Sequence, residues 1–413
     1  MKLVSEPDDV AGVAAAITRA PLVAFDLEFA SADRLVPVLC LVQVAWLDHA
    51  SLDAPAAAIV AAPPEVRLVD PLAGDVAPIA RALAAHPLVV AHAPRQDLAL
   101  LAARFGTGMV GLVDTQLAAA FCGIGEQVGL AALANELIGL SLAKEQQWTD
   151  WAKRPLSDAQ LAYADADVRH LPAIYGKLVA RLGPRLSWVR EESAQIVVDA
   201  VAAAAVTPET AWQHVGGARG QDDATRAAVV ELAAWRQRVA IELDRPLGQV
   251  MTDKVIVELA RQRPSSAQAI RQWKGASPLA KARADAIASA IASSGTRTVS
   301  SEPRTVSSEP RTERSGARTT SQRAQRWADM LVAIVQLVAD EAHIAPRLLA
   351  TRSDAEEIAR AIDEGGLAAA AQLPAFTSWR RDVIGTVLEG WLAGRIALVG
   401  DPLSPHGFRL LPR

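Results

Sequence analysis

The hydrophobic pattern of the first 180 residues alternates between short apolar runs and longer helical segments. The strand-type runs are rich in Val, Leu and aromatic residues and lie at 21–29, 37–46, 66–70, 87–92 and 109–114. Helices are predicted at 76–85, 95–105, 115–122 and 128–139. Three early strands without intervening helices indicate hairpins, and the later strand–helix alternation indicates parallel crossovers. The pattern therefore predicts an α/β domain with a mixed five-stranded sheet flanked by helices.

The strand signal ends near residue 190, and the remainder of the chain is predicted to be helical. Residues 207–292 carry helical segments that are punctuated by prolines. Two perfect tandem copies of RTVSSEP follow at 297–303 and 304–310. Because residues 294–322 contain almost nothing to bury, we predict a disordered linker there. A last helical segment at 323–413 completes three predicted domains, of which the first is 1–190.

Composition indicates a soluble protein of the cytoplasm. Hydrophobic residues make up 51% of the 413 residues, which is enough for a sizeable core. Two cysteines fit a reducing compartment better than a disulfide framework. The N-terminus lacks a signal-peptide pattern, and the chain lacks an uncharged apolar run of about 18 residues, so we expect no membrane association.

Charge is unevenly distributed along the chain. Residues 1–200 carry 15 Lys and Arg against 23 Asp and Glu, a net charge of −8, and the remainder carries +4. An acidic catalytic centre joined to a polyanion-binding region is compatible with this asymmetry. Ordinary solubility is the simpler explanation, so charge alone does not decide the function.

A first acidic motif lies in the strand-type run VAFDLEFA. Asp26 and Glu28 project from the same face of the predicted strand, because residues two apart share a face. Two such carboxylates on a buried strand repel each other unless a pKa rises or a cation binds. Hard divalent cations prefer oxygen ligands, so Mg²⁺ or Mn²⁺ is the natural candidate. Solvated acids at a strand end would give the same motif, which is weak by itself.

A second motif, VVAHAPRQDLALL, places an acid at the start of a predicted helix. An apolar strand ends at His92, and Pro94 suits the first turn of the helix that follows. Asp97 then lies near the carboxyl end of the strand, where ligands collect in α/β sheets. Taken alone, Asp97 is explained as a complement to the helix N-terminus. His92 is better explained as a local hydrogen-bonding residue than as a metal ligand.

The third motif is the stretch YADADVRHL, which we assign to a helix. Ser157 and Gln160 have the spacing of a capping box, so the helix should begin near residue 158. Tyr163 and Asp167 are four residues apart and share a face of that helix. Asp165 is rotated by about 200° from Tyr163 and is expected to face solvent.

The three motifs in order, D-x-E, H-x4-D and Y-x3-D, resemble the DEDD superfamily of 3′→5′ exonucleases. Ala162 stands where the histidine subclass has His, so the tyrosine subclass fits. The surrounding words, among them FDLEF, LCLVQVA, HAPRQDL and TDWAKRPLSDAQLAYADADVRHL, resemble the ribonuclease D family over residues 1–190. Leu27, where the family often has Thr, is a small departure and should point away from the metals. The resemblance implies an RNase H-like fold for this domain.

The resemblance continues into the helical half of the chain. LAAWRQRVAIELDRPLGQVMTDKVIVELARQRP, within 207–292, resembles an HRDC domain, and 323–413 resembles a second, more divergent HRDC-like domain. The implied architecture is an α/β domain followed by two all-α HRDC-type domains. A Walker-type phosphate-binding loop is absent from the sequence, so the chain is not itself a helicase.

The resemblance implies a two-metal-ion hydrolysis that releases nucleoside 5′-monophosphates from a free 3′ end. Asp26, Glu28 and Asp167 would hold one Mg²⁺ or Mn²⁺, Asp26 would also bind a second, and Asp97 would support the second. Tyr163 would orient the attacking water, because a phenol with a free pKa of about 10 is a poor general base at neutral pH.

RNA with a free 3′ end, tRNA precursors above all, is the expected partner of a monomeric enzyme. His92, Lys144 and Trp148 are candidate substrate-binding residues; the Lys could contact phosphate and the Trp could stack on a base. A solvated Lys and a core Trp explain the last two equally well, and Trp151 is assigned to packing. A DNA 3′→5′ exonuclease and an inactive nucleic-acid-binding scaffold are the alternatives. The presence of all four acids and the tyrosine argues against the scaffold.

Overall fold

The protein is described by a computed structural model that covers residues 3–30, 33–48, 59–60, 63–142, 149–218, 221–296 and 321–413. The chain forms two compact units. The first comprises Met1–Phe29, Leu39–Val201 and Thr320–Arg413, and the second comprises Ala30–Val38 and Ala202–Thr319. The RTVSSEP repeats and most of the predicted linker lie outside the described residues. The domain boundaries expected from the sequence stay a prediction.

The first unit is built on a five-stranded sheet. Its strands are β1 (Leu22–Ala30), β2 (Val38–Leu47), β3 (Glu65–Val69), β4 (Val89–Ala91) and β5 (Leu112–Asp114). They lie in the order β3-β2-β1-β4-β5. β4 runs parallel to both β1 and β5, whereas β3 runs antiparallel to β2. The predicted mixed sheet is confirmed, with antiparallel pairing of the early strands β2 and β3 and parallel pairing of β4 with β1 and β5.

Helices flank this sheet, as predicted. The α-helices described before residue 205 include Pro7–Arg19, Ala77–Ala85, Arg95–Phe105, Thr115–Phe121, Leu130–Ile138, Asp158–Arg169, Leu171–Leu182 and Leu186–Ala204, with a 3-10 turn at Gly183–Arg185. Val23, Phe25 and Leu27 of β1 point into a core shared with the helices Pro7–Arg19 and Arg95–Phe105. Because side chains alternate along a strand, Asp26 and Glu28 project from the opposite face. Leu27 thus points away from the carboxylates, as expected.

The second unit is helical throughout the residues described between 202 and 296. It contains the helices Asp223–Leu243, Leu247–Val250, Asp253–Gln262, Ala267–Arg271, Pro278–Ala282 and Ala284–Ser293, with 3-10 turns at Ala211–His214 and Ser294–Thr296. Its own core includes Leu232, Ile256 and Ile287, each fully buried. The helical prediction for 207–292 is confirmed.

The C-terminal segment of the first unit is helical up to residue 392. Its helices are Gln322–Ala342, Pro346–Leu349, Arg352–Ala370, Ser378–Arg380 and Thr386–Leu392, with a 3-10 turn at Pro374–Phe376 and a π turn at Arg381–Gly385. An antiparallel hairpin of β6 (Ile396–Gly400) and β7 (Phe408–Pro412) follows. The hydrophobic pattern did not predict this hairpin, which begins after Gly394 adopts a left-handed conformation (φ 72°) that ends the helix.

Aromatic and ionic contacts join the C-terminal segment to the rest of the first unit. The Trp379 ring stacks on Trp188 with centroids 5.1 Å apart and meets Phe121 edge-on at 5.0 Å. Arg380 binds both carboxylate oxygens of Glu192, at 2.5 and 2.9 Å. The segment is therefore packed as part of the body that carries the sheet. Throughout the described part of the chain, helices fall short of the length and apolar character that a membrane crossing requires.

Candidate active site

The site begins on β1, at the carboxylates of Asp26 and Glu28. Together with Asp167 they form the single cluster of potential metal ligands found among the described residues, with one oxygen of each within 4.8 Å of the others. Local chemistry explains part of this arrangement, because strand alternation places the two β1 acids on one face. Glu28 and Asp167, which are 139 positions apart in sequence, thus place carboxylate oxygens within 4.8 Å of each other.

Asp167 reaches this cluster from the helix Asp158–Arg169. The predicted capping box fixes the start of that helix: the Ser157 hydroxyl accepts from the Gln160 N–H at 3.2 Å, and Gln160 Oε1 accepts from the Ser157 N–H at 3.0 Å. Tyr163 lies one turn before Asp167, and the charge of the Asp167 carboxylate helps raise the pKa of its phenol. The predicted pairing of these two side chains on one helix face is confirmed.

Asp165 leaves the site, but it does not face solvent as the sequence suggested. Its carboxylate accepts two hydrogen bonds from Arg169, at 2.5 and 2.6 Å, and its side chain is only 15% exposed. The expectation of a solvated Asp165 is wrong because an arginine four residues later lies on the same face of the helix. Helical phase nevertheless separates Asp165 from Asp167.

Asp97 approaches the cluster from the helix Arg95–Phe105, whose first turn follows the end of β4. It is buried, and its carboxyl group lies close to the backbone of Leu27 in β1. Asp97 does not belong to the tight group of three, yet its charge raises the pKa of both Asp26 and Glu28. A strand, a helix start and a helix face therefore converge as the motif order predicted.

The turn before Asp97 is held by two residues that the sequence analysis did not single out. Ala93 has a left-handed backbone (φ 53°), and its N–H donates to Asp114 Oδ1 at 2.9 Å. The same Asp114 oxygen accepts from the Gln116 N–H at 2.9 Å and caps the helix Thr115–Phe121. The Thr115 hydroxyl donates to the Ala91 carbonyl at 3.1 Å. Asp114 ends β5 and directly precedes a helix, and this position is the feature of the sequence that could have identified it as a structural residue.

Burial perturbs the pKa values of all four acids, and repulsion by neighbouring acids adds to this effect at Asp26 and Glu28. Burial is the largest cause in each case and raises the pKa of Glu28 to about 8 and those of Asp97 and Asp167 to about 7. The pKa of Asp26 is raised well above its ordinary range by burial and by the charges of the other three acids. Polar groups nearby, the Leu27 and Asp97 backbone and the Tyr163 hydroxyl, partly oppose these shifts in pKa.

This charge imbalance fits a divalent cation. The donors are all carboxylate oxygens, which is the ligand type that Mg²⁺ and Mn²⁺ prefer. A bound cation would favour the ionised forms and replace the repulsion among the acids with attraction. The cluster therefore has both the chemistry and the electrostatic need for metal.

Tyr163 stays protonated in this environment. Burial, followed by the charges of Asp167, Glu28 and Asp26, raises the pKa of its phenol above the ordinary value of 10.0. A protonated phenol can donate and orient, but it cannot accept a proton from water at neutral pH. The expected orienting role is chemically consistent with this state.

Of the three candidate substrate-binding residues, only His92 lies within the described part of the chain. His92 Nδ1 is hydrogen-bonded to the Thr115 hydroxyl at 2.9 Å, and burial lowers the pKa of the imidazole to about 4. His92 is therefore neutral and locally bonded, and its contact with substrate stays a prediction. Lys144 and Trp148 lie outside the described residues.

Comparisons with known proteins first define the class of protein to which this chain belongs. A 3′-5′ exonuclease family model matches residues 1–183, which contain all five proposed site residues, and an HRDC domain model matches 226–291. The crystal structure of Escherichia coli RNase D superposes with a TM-score of 0.76 at 23% identity and covers 95% of this chain and 98% of that chain. Fold and motifs together define a 3′-5′ exonuclease with an HRDC domain.

Full-length relatives then specify the family. Ribonuclease D of Granulibacter bethesdensis is 32% identical over 97% of this chain and 94% of that protein. Ribonuclease D of Acidiphilium cryptum is 34% identical over 96% of this chain and 94% of its own length. The chain belongs to the ribonuclease D family. The predicted 3′→5′ exoribonuclease activity is thereby confirmed, and the alternatives of a DNA exonuclease or an inactive scaffold are not favoured.

Proposed function

We propose that the exoribonuclease reaction takes place at Asp26, Glu28, Asp97 and Asp167, which hold two divalent cations, Mg²⁺ or Mn²⁺. The observation that carries this proposal is the convergence of Asp26, Glu28 and Asp167 within 4.8 Å, next to a fourth buried acid. When bound, such cations activate water and stabilise the negative charge of the leaving 3′-oxygen. Each acid would supply carboxylate oxygens and lose its proton as metal binds.

The placement of the acids supports the roles that we propose for them. Asp26 feels the charges of all three other acids, so it would help to hold both cations. Glu28 and Asp167 complete the group of three around the first position. Asp97 stands outside that group and would support the second.

Tyr163 would orient the attacking water. Its side chain shares a helix face with Asp167, and the raised phenol pKa keeps its proton in place. Removing one positioned hydrogen bond of this kind costs about 2.7–4 kcal/mol of transition-state stabilisation. Tyr163→Phe is therefore expected to lower kcat by about 100- to 1000-fold while divalent-metal binding measured by calorimetry stays intact. A variant with unchanged kcat would remove Tyr163 from the mechanism.

We extend to this chain RNA with a free 3′ end as substrate, including tRNA precursors, with nucleoside 5′-monophosphates as products. The support is membership of the ribonuclease D family together with a site suited to phosphodiester hydrolysis. A monomeric state and a cytoplasmic location stay predictions from the sequence.

A degradation assay with matched RNA and DNA strands tests the proposal. The 5′-labelled RNA should shorten stepwise from its 3′ end with Mg²⁺ or Mn²⁺, the 3′-labelled RNA should release labelled nucleoside 5′-monophosphate, and EDTA should stop both. A tRNA precursor with a 3′ extension is added to the substrate panel. Asp26→Asn should nearly abolish activity, because it removes a carboxylate of the proposed metal site. Folding should be retained, because the substitution also removes a charge that the other acids repel. A wild-type rate in Asp26→Asn would refute the proposed active site. Faster degradation of DNA than of the matched RNA would refute RNA as the substrate.

A further inference from the structure

The ring of Tyr163 rests against a second aromatic side chain. The centroids of Trp151 and Tyr163 are 6.1 Å apart, with their planes tilted by 41°. Trp151 is only 3% exposed, and its indole Nε1–H has no hydrogen-bond partner within the described part of the chain. Its contribution at this position is therefore the aromatic face and not the polar group.

A partly buried ion pair fixes the turn that carries Trp151. Arg154 Nε and Nη2 donate to the two carboxylate oxygens of Asp70, each at 2.7 Å, and Nη2 also donates to the Cys40 carbonyl at 2.6 Å. Its remaining terminal nitrogen, Nη1, donates to the Trp151 carbonyl at 2.8 Å. The Asp70 side chain is 8% exposed, and the Arg154 side chain is 25% exposed. One guanidinium thus ties the Trp151 backbone to β2 and to the end of β3.

A second contact joins the same turn to the helix Asp158–Arg169, which carries Tyr163. Gln160 Nε2 donates to the Thr149 hydroxyl at 3.1 Å, while the Gln160 Oε1 atom serves the capping box of the helix that carries Tyr163. The residues around Trp151 are therefore anchored both to the sheet, through Arg154, and to the start of the Tyr163 helix, through Gln160. Such double anchoring leaves the indole little freedom to move away from the phenol.

We propose that Trp151 and Arg154 are positioning residues that set the orientation of the Tyr163 phenol for catalysis. Trp151 restricts the ring by direct packing, and Arg154 acts through the Trp151 backbone. A Tyr163 side chain free to turn about χ1 would keep its chemistry but carry its hydroxyl away from the Asp167 carboxylate. Since small misplacements of catalytic groups have large effects on rate, the loss should fall on kcat and not on KM.

Single variants provide the first part of the test. Trp151→Leu in the full chain should lower kcat by about 10- to 100-fold with little change in KM. Trp151→Phe, which keeps an aromatic face and loses only the unpartnered N–H, should stay within about threefold of the wild type. Arg154→Met should resemble Trp151→Leu, and Arg154→Lys should recover part of the loss. A loss in Trp151→Phe as large as that in Trp151→Leu would overturn the assignment to ring packing.

A double-mutant cycle separates this inference from the proposed function on which it rests. If Trp151 acts through Tyr163, then Trp151→Leu should cause almost no further loss of kcat in a Tyr163→Phe background. Additive losses would overturn the inference and leave the role of Tyr163 intact. If Tyr163→Phe itself has wild-type kcat, the proposed role of Tyr163 fails instead, and the inference falls with it.

The chain also allows a readout that is independent of activity. It contains two tyrosines, Tyr163 and Tyr175, so labelling with 3-fluorotyrosine should give two ¹⁹F resonances, and Tyr163→Phe assigns them. Trp151→Leu and Arg154→Met should shift or broaden the Tyr163 resonance while leaving that of Tyr175 in place. Equal disturbance of both resonances would indicate general damage to the fold and would contradict a specific positioning role.

Discussion

Asp165 and Arg169 form a bidentate ion pair along the helix Asp158–Arg169, with nitrogen–oxygen distances of 2.5 and 2.6 Å. Asp167, two residues along the chain from Asp165, joins Asp26 and Glu28 instead. The two acids of YADADVRHL are thus directed by helical phase to different partners. One contributes to local structure, and the other contributes to the acidic cluster.

Replacing these two acids should therefore have opposite consequences. Asp167→Ala is expected to abolish activity, since it removes a carboxylate from the proposed metal site. Asp165→Ala should retain wild-type kcat and lose at most about 1 kcal/mol of unfolding free energy, the usual size of a partly exposed ion pair. Arg169→Ala is the matched control and should reproduce the small stability loss. A severe kinetic defect in Asp165→Ala together with an active Asp167→Ala would contradict the helical-phase argument.

Divalent metal should stabilise the protein more strongly as the pH rises. The raised pKa values of Glu28 (about 8), Asp97 and Asp167 (both about 7) mean that the metal-free folded protein binds protons that the unfolded chain releases above pH 4 or so. Their contribution to metal-free stability is complete below that pH and is lost as the pH rises through 7 to 8. Metal binding requires the ionised carboxylates and should release protons in this range.

Thermal unfolding with and without Mg²⁺ at pH 6.0 and 8.5 measures this effect. The metal-dependent rise in Tm should be larger at pH 8.5, and calorimetry near pH 7 in buffers of different ionisation enthalpy should detect proton release. Asp26→Asn should reduce both signals. A rise in Tm that is independent of pH would contradict the link between these carboxylates and metal.

Asp114 should influence metal binding although it lies outside the acidic cluster. Asp114→Ala leaves the N–H groups of Ala93 and Gln116 without their acceptor, at a cost of about 1–3 kcal/mol each. The turn that leads to Asp97 would loosen, so the affinity for Mn²⁺ measured by calorimetry should fall with stability. Asp114→Asn keeps an acceptor oxygen and should retain most of both. Equal affinities in the wild type and Asp114→Ala would show that this turn does not position Asp97.

Trp379 should contribute strongly to the stability of the first unit. Trp379→Ala removes the stacking on Trp188 and the edge contact with Phe121, and a substitution of this size in a core costs about 3–5 kcal/mol. Urea unfolding followed by far-ultraviolet circular dichroism measures the loss. Trp379→Phe retains an aromatic ring and should lose less. A midpoint unchanged in Trp379→Ala would show that the C-terminal segment does not depend on this contact.

The sequence by itself determined the structural features that depend only on residues close together in the chain. Strand alternation predicted that Asp26 and Glu28 share a face, and helical phase predicted that Tyr163 and Asp167 pair. The capping box at Ser157 and Gln160 marked the start of the helix. These features depend on neighbours within a few residues, so a single sequence is sufficient to determine them.

The tertiary structure alone decided which distant residues meet. Arg154 pairs with Asp70 across 84 positions, and Asp114 holds the turn at Ala93 from another strand. Sequence patterns could not select these partners, because many arginines and acids have compatible chemistry and only the folded path of the chain determines which ones lie within hydrogen-bonding distance. The same limitation explains why Trp151 was assigned to packing alone. The ion pair of Asp165 with Arg169 is different, because its i, i+4 spacing is local and could have been recognised in the sequence. Local sequence motifs supply the acids and the tyrosine of the site, whereas the orientation of these side chains depends on contacts that exist only after folding.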